Sequence, residues 1–293
     1  MKEDFVWSLE RQALLARCPR AYFHLRHDDD STARQLANLQ TLEDWAGRMI
    51  RKSLAQALSS NPFPDKDALR QLALRNMRES WLEYLNGAWR EQPENATNIF
   101  ELYYGNGEEY GTLRKLPKEL TDNAKQRILD AMDAFHYSPF IRSLAALGRS
   151  VWSFPGRGDS FRIDEISVHE TPDFIYMDGT MNALFWTLGN EHRPFLRLRQ
   201  ACCKLYAMEK FSMPASQVNV CTVFLNDGGR GRSFFVSEAD LNSARQQILR
   251  SAKAMLAKEE ACHAKEDYPM QPDVTCENCN FRRLCGSAVA DEG

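Results

Sequence analysis

The chain has 293 residues, 43% hydrophobic and 26% charged, with a formal net charge of -3; that length can bury a substantial core, and that charge excludes a generally basic nucleic-acid coat, confining any such contact to a local patch. No stretch approaches the roughly 18 uninterrupted apolar residues of a membrane span, and the opening MKEDFVWSLERQ lacks the apolar core of a secretory leader, so a soluble chain in a reducing cytoplasm is expected. Eight cysteines in a long chain of this kind point to metal binding or plain burial, not to a disulfide scaffold.

Residues 8–26 read as helical on both sides of Pro19, with Leu9, Leu14, Leu15, Tyr22, Phe23 and Leu25 as apolar surface and Cys18 at the break. His24 and His27, close to Cys18 in sequence, read as surface residues. The run Asp28-Asp29-Asp30-Ser31 suits the start of the next helix, where solvated carboxylates offset the helix dipole. Residues 32–147 follow a helical pattern, broken at Asn61-Pro62-Phe63-Pro64 and over 91–98.

Beyond Gly148 the texture changes to short strand-like runs, around 151–154, 161–168, 174–177 and 181–187, with Asp178-Gly179 as a hairpin turn between the last two. A helix over 194–210, a strand over 218–225, a turn at Asn226-Asp227-Gly228-Gly229 and a strand over 233–236 come next. Ser237, with Asp240 three residues on, caps a long helix whose buried stripe is Leu241, Ile248, Ala252, Met255 and Leu256. The expected fold class is therefore α/β. Its expected segments are an N-terminal piece (1–31), a helical subdomain (32–147), an α/β core (148–261) and a C-terminal cysteine lobe (262–293).

The tail reads Thr275-Cys276-Glu277-Asn278-Cys279-Asn280-Phe281-Arg282-Arg283-Leu284-Cys285. Three thiols at this spacing can converge on one centre, because the first pair spans a tight turn, and a fourth ligand must come from elsewhere. Thiolates suit zinc or iron-sulfur centres. A zinc ribbon supplies two compact pairs, whereas a trio with one distant partner favours an iron-sulfur cluster, with zinc as the alternative. Cys18, in a polar and sharply turned context before Pro19, is the preferred fourth ligand. Cys202 and Cys203 inside a helix, Cys221 inside an apolar strand and Cys262 after a helical stripe read as buried small residues.

In these features the chain resembles the PD-(D/E)XK nuclease superfamily, specifically its iron-sulfur branch of RecB-like exonucleases and CRISPR adaptation nucleases. Members of that branch join one N-terminal cysteine, often followed by Pro, to a C-terminal trio. Cys18-Pro19-Arg20 matches the first part, and Cys276, Cys279, Phe281 and Cys285 match the second. Ala46-Gly47-Arg48-Met49-Ile50-Arg51 resembles the early helix, Thr171-Pro172-Asp173-Phe174 the first catalytic strand, and Gln200 with Tyr206 the helix after the active site. The resemblance implies a mixed central sheet of the restriction-endonuclease-like type, a helical subdomain, and a C-terminal lobe holding a 4Fe-4S cluster on Cys18, Cys276, Cys279 and Cys285.

Active members hold divalent metal with an Asp and a second acid, and place a Lys two positions beyond that acid, on the same strand face, beside the attacking water. Asp173 fits the first acid. The strand Leu184-Phe185-Trp186-Thr187-Leu188-Gly189 stands where the acid-x-Lys pair belongs, with Phe185 replacing the acid and Thr187 the Lys, and Arg51 occupies the place of the branch's early histidine. The resemblance thus implies a catalytically inactive nuclease-fold protein, serving as a nucleic-acid-binding or complex-assembly subunit with DNA, a protein partner, or both, in a defence or repair complex. One alternative is a divergent DNA exonuclease using Mg or Mn, with migrated catalytic residues. For that reading Lys204, one turn after Gln200, is expected to face the cleft, and Glu165, Glu170, Glu191, His192 and Glu209 lie nearby. The other alternative is a purely structural partner-binding protein. Arg193, Arg197, Arg199 and Lys204 form a basic region beside the expected cleft, and Arg282 and Arg283 decorate the cysteine lobe. Gly228-Gly229-Arg230-Gly231-Arg232 lacks P-loop spacing and reads as a hairpin turn. Trp45, Trp81, Trp89, Trp152 and Trp186 read as core.

Overall fold

A central strand of a sheet covered on both faces carries an unbroken apolar run instead of an alternating one, and Ala183-Leu184-Phe185-Trp186 has that character. In the computed structural model, which describes residues 5–28, 31–37, 41–89, 118–147, 152–156, 158–187, 193–225, 227, 229–271, 279–281 and 284–285, this run lies in the middle strand of a five-stranded sheet. The strands in chain order are β1 (Val6–Trp7), β2 (Trp152–Ser153), β3 (Phe161–Ile163), β4 (Ile166–Val168), β5 (Phe174–Asp178), β6 (Thr180–Thr187), β7 (Val218–Phe224) and β8 (Arg230–Phe234). The helices are α1 (Leu9–Arg17), α2 (Pro19–Arg26), α3 (Ser31–Ala37), α4 (Leu42–Ser59), α5 (Lys66–Trp89), α6 (Lys118–Tyr137), α7 (Pro139–Ala146), α8 (Arg193–Phe211) and α9 (Glu238–Ala261). The fold is mixed α/β. Among the described residues no helix is long and apolar enough to cross a membrane.

The chain divides into two units, each made of three segments. The first comprises Met1–Leu9, Gly47–Asn76 and Gln126–Ala254. Its five-stranded sheet has the order β2-β5-β6-β7-β8. β5 and β6 are antiparallel through the turn at Gly179, whose φ of +67° favours glycine. β6 and β7 are parallel, with Phe185 opposite Thr222, and α8 lies between them in sequence as the crossover that a parallel pair requires. β8 returns antiparallel to β7.

Consecutive strand residues point to opposite faces, so Phe185 and Trp186 divide the sheet's surroundings. On the Trp186 face its indole stacks on Phe174 of β5, 6.3 Å between centroids, and meets Phe135 of α6 edge-on at 5.9 Å. On the Phe185 face lies α8, where Gln200 Nε2 donates to Thr222 Oγ1 at 3.4 Å. The part of α4 in this unit is set by buried Ile50 and Leu54, and by Asn76 of α5, which donates to Ser53 Oγ at 2.9 Å and Gln56 Oε1 at 2.8 Å. Arg70 of α5 reaches Asp133 of α6 at 2.7 Å. Ser138 caps α7 and also donates to the Gly229 carbonyl at 2.6 Å, and Gly231 lets β8 approach so closely that a Cβ there would lie 2.4 Å from Phe140. The second sheet, β1-β4-β3, pairs β1 parallel to β4, and Trp7 Nε1 donates to Ser251 Oγ at 2.7 Å.

Three local differences from the sequence reading have physical causes. Residues 161–168 are two strands, because Asp164 adopts φ +52° and turns the chain between them. The strand after the 226–229 turn runs from Arg230 to Phe234, ahead of the apolar residues that marked it, since the ladder to β7 starts at Arg230 opposite Phe224. β1 has two residues, too few to show a period. The Ser237 cap forms as expected: Asp240 N donates to Ser237 Oγ at 3.1 Å and Ser237 N to Asp240 Oδ2 at 2.9 Å.

The second unit comprises Glu10–Ala46, Met77–Lys125 and Met255–Gly293, so it joins an early segment of the chain to the C-terminal one. Arg20 Nε donates to the Tyr268 carbonyl at 2.6 Å, Tyr22 OH to Glu259 at 2.5 Å, and the Phe23 and Tyr268 rings lie 5.3 Å apart. Thr41 caps α4 reciprocally with Asp44, and Trp45 Nε1 donates to Ser80 Oγ at 3.0 Å.

Candidate metal centre and the surroundings of Asp173

Cys18 is the residue between α1 and α2. It is extended, with φ -153° and ψ 100°, and Pro19 begins α2 behind it; the proline ring disfavours helical geometry in the residue before it. Its peptide groups remain engaged, Cys18 N donating to Leu14 O at 2.8 Å and Tyr22 N to Cys18 O at 3.1 Å. Cys18 and Cys279 both pack against the buried trio Ala21, Leu36 and Phe281. Beyond Phe281 the chain turns, Leu284 N and Cys285 N both donating to the Phe281 carbonyl. Burial pushes the Cys285 thiol up to about 11, Cys279 and Cys18 add to that rise, and Arg20 and Lys265 oppose it. The three thiols therefore share one neighbourhood, and two cations border it. Arg20 is held by Tyr268 and Lys265 by the Leu284 carbonyl.

Cys276 lies outside the described residues. Among those described, no group of three or more His, Cys, Asp or Glu side chains is arranged to hold a metal ion. The donor chemistry nonetheless fits a soft metal: a desolvated Cys285 thiol with the Cys18 and Cys279 thiols beside it is the kind of group a bound cation relieves. Sulfur donors of this kind suit zinc or an iron-sulfur cluster and do not suit magnesium. Cys202, Cys203 and Cys221 are buried in α8 and β7, and burial raises the thiol pKa of Cys202 and takes that of Cys221 to about 12. Cys262 is half-buried, with Lys258 Nζ donating to its sulfur at 3.5 Å.

His24 is not the surface residue expected. It is 2% exposed, its ring stacks on Phe281 at 5.5 Å, and its Nδ1 shares a 2.6 Å hydrogen bond with Asp28. Its Nε2 has no hydrogen-bond partner among the described residues. Sequence reasoning missed it because a histidine beside an Asp-rich run looks solvated; the signal was its place one turn after Ala21 on the apolar face of α2. Asp28 accordingly serves His24, while Asp29 and Asp30 lie outside the described residues. His27 is 29% exposed at its side chain and lies 3.8 Å from Glu259.

Burial lowers the pKa of His24 more than Asp28 raises it. The unfolded chain therefore takes up the proton first as pH falls through the ordinary histidine value of 6.5. The stability this group contributes is complete above that value and is lost on acidification towards the lower folded pKa. The melting temperature is expected to fall between about pH 7.5 and about pH 5.5, and His24→Gln is expected to flatten the fall. An undiminished fall in that variant would assign the acid sensitivity elsewhere.

Asp173 stands just before β5. Its Oδ2 accepts from the Trp186 backbone N–H at 2.8 Å, which ties the carboxylate to β6. Arg51 of α4 brings Nε to 4.0 Å from Oδ1, and Arg199 of α8 brings Nη2 to 4.0 Å from Oδ2. The Arg199 guanidinium also lies over the Phe185 ring, 4.7 Å from its centroid. Phe185 is fully buried and Thr187 is 2% exposed, so the two positions matched to the acid and the Lys are core.

The other expected site residues scatter. Lys204 is buried and its Nζ donates to the Val236 carbonyl at 3.0 Å, burial pushing its pKa down. Gln200 bonds Thr222, and Tyr206 donates to Asp159 at 2.8 Å. Glu209 accepts from the Arg162 backbone N–H, and Glu170 from that of Leu9 at 2.9 Å. Arg197 is exposed and acts on Asp240, and Glu165 is exposed. Glu191, His192, Arg282, Arg283 and the Arg193 side chain lie outside the described residues, as do the side chains of Trp89 and Trp152. What the fold brings together is Asp173, Arg51, Arg199 and Phe185. No family model matches the chain, and no curated protein matches it.

Proposed function

We propose that the chain is a catalytically inactive iron-sulfur protein of the PD-(D/E)XK nuclease type, acting in the cytoplasm as a nucleic-acid-binding or complex-assembly subunit. Its sheet would be of the restriction-endonuclease-like kind. Its partners would be DNA, a protein, or both, in a defence or repair complex. Cys18, Cys276, Cys279 and Cys285 would hold a 4Fe-4S cluster, with zinc as the alternative, in a closed structural site whose binding energy supports folding.

The observation that carries the loss of catalysis is the company of Asp173. A magnesium or manganese site needs several oxygen donors, and this carboxylate is flanked by two guanidinium groups, with a buried phenyl ring where the second acid would stand. Cations already at the carboxylate repel a divalent ion. No side chain at Thr187 supplies the positive charge that a Lys would place beside the attacking water.

The test is cleavage of labelled single-stranded and duplex DNA by the purified full chain with magnesium or manganese. Product at the level of the Asp173→Ala variant is expected. Robust cleavage abolished by that substitution would favour the divergent exonuclease instead.

A further inference from the structure

Cys262 is the cysteine that the proposed metal centre does not use and that the fold does not bury: Cys202, Cys203 and Cys221 are buried, whereas Cys262 is half-buried. It stands directly after α9, and its backbone N–H donates to the Lys258 carbonyl at 2.9 Å, so the helical turn continues through it. Spacing by four puts the two side chains on one face, and Lys258 Nζ lies 3.5 Å from the Cys262 sulfur. The same nitrogen donates to the Asp267 carbonyl at 3.1 Å and lies over the Tyr268 ring, 4.9 Å from its centroid. An amine is thus fixed beside a sulfur that solvent reaches. The turn that Lys258 holds is itself part of a fastening. Its Asp267 carboxylate accepts from the His263 and Ala264 N–H groups at 2.9 and 3.0 Å, and the Tyr268 carbonyl accepts from Arg20 of α2.

We propose that Cys262 and Lys258 form a peroxide-sensitive modification site, in which the oxidised sulfur is captured by the lysine nitrogen as a covalent S–N bond. In the first step the Cys262 thiol attacks one oxygen of a peroxide. The S–O bond forms, the O–O bond breaks, the sulfur passes two electrons to the peroxide, and the second oxygen leaves as water with the thiol proton. A sulfenic acid condenses with a nitrogen within reach. Here the Lys258 amine attacks the sulfur, the S–N bond forms as the S–O bond breaks, and the hydroxyl leaves as water with a proton from the nitrogen. A thiol reverses the step: it attacks the sulfur, hands its proton to the departing amine, and leaves a mixed disulfide that a second thiol resolves. Capture draws the nitrogen from the Asp267 carbonyl and removes its charge from the Tyr268 ring, so oxidation slackens the turn that leads into the cysteine lobe. The metal centre and the surroundings of Asp173 take no part.

The experiment treats the full-length protein with a small excess of hydrogen peroxide, digests it with trypsin in the absence of reductant, and reads the peptides by mass spectrometry. Trypsin cuts after a free Lys258 and releases residues 254–258 and 259–265. Capture blocks that cut, so a single peptide of residues 254–265, lighter by two hydrogens, is expected. Dithiothreitol should restore the two shorter peptides. Lys258→Arg keeps the positive charge and the reach but offers a poorly nucleophilic guanidinium. In that variant the sulfenic acid should persist and take up dimedone at Cys262, a label that wild type should largely escape. Cys262→Ser should give neither product. Amide hydrogen exchange over residues 264–268 should quicken in the captured protein and return with dithiothreitol. Melting curves establish that both variants are folded, and both changes lie at the half-buried end of a helix.

Equal dimedone labelling of Cys262 in wild type and Lys258→Arg, with residues 254–258 and 259–265 released in full, would overturn the capture. A disulfide from Cys262 to another cysteine would overturn the choice of Lys258 as the partner. No peroxide product at Cys262 would overturn the whole inference, and amide exchange unchanged by capture would overturn the release of the turn.

Discussion

Replacing Cys18, Cys279 or Cys285 by Ser in the full-length chain is expected to remove most of its bound metal and to lower its melting temperature by roughly 10–20 °C. Anaerobically purified wild type should carry about four iron and four sulfide per chain. A structural metal in a thiolate site contributes on the order of 10 kcal/mol to the folded state of small domains. Here the whole of that is not at stake, because the early and C-terminal segments are also held by the Arg20–Tyr268 and Tyr22–Glu259 hydrogen bonds and the Phe23–Tyr268 contact. A loss of about 5 kcal/mol is therefore the expectation, at about 2–4 °C per kcal/mol for a chain of this size. Cys221→Ala, in the packed interior of β7, is the control: it costs stability through packing and keeps the metal. One zinc and no sulfide would change the metal and keep the ligands. Full metal content in Cys18→Ser would remove Cys18 from the ligand set.

Some parts of the molecule can be read from residues alone and others cannot. Patterns that rest on many residues survive folding: the apolar run of β6, the Asp178-Gly179 turn, the Ser237–Asp240 cap and the helix break at Cys18-Pro19 all stand where expected. Features fixed by one backbone angle or one tertiary neighbour do not show in sequence. The positive φ of Asp164, which divides 161–168 into two strands, is of the first kind. The second kind includes His24, whose burial depends on Phe281 from the far end of the chain, and Lys204, whose ammonium is fixed by the Val236 carbonyl and not by a neighbour in sequence.

The Asp173 surroundings combine both kinds. That Phe185 and Thr187 stand two apart on a strand beside Asp173 is visible as spacing, and the antiparallel β5–β6 register, with Phe174 opposite Leu184, turns that spacing into proximity. That Arg51 and Arg199 converge on the same carboxylate is visible only in three dimensions, since they come from helices separated by most of the first unit. Sequence nearness groups Arg199 with Arg193, Arg197 and Lys204, but the three of these whose side chains are described go in different directions. Arg197 acts on Asp240, Lys204 turns inward and Arg199 reaches Asp173.

Installing an acid and a Lys by Phe185→Glu with Thr187→Lys, as the proposed nuclease relationship would require for activity, is expected to unfold the protein before it confers cleavage. Phe185 is fully buried and Thr187 nearly so, both on the middle strand of the sheet, so each new charge must leave water. Losing the Phe185 ring alone costs about 3–5 kcal/mol in packing, a large share of the roughly 5–15 kcal/mol that holds a typical domain together. Arg199 would offset part of this, because its guanidinium already lies 4.7 Å from the ring and can pair with a carboxylate there. The Lys is the more damaging change, since a long cationic side chain must enter a position sized for Thr. The double variant should therefore melt at least about 10 °C below wild type and show no cleavage dependent on magnesium and Asp173. Phe185→Leu, which keeps the position apolar, should cost only about 1 kcal/mol and keep the protein folded. A double variant that melts within a few degrees of wild type and cuts DNA only with magnesium and Asp173 would mean that α8 leaves room for the metal chemistry. The arrest of the site would then lie in two side chains and not in the packing around them.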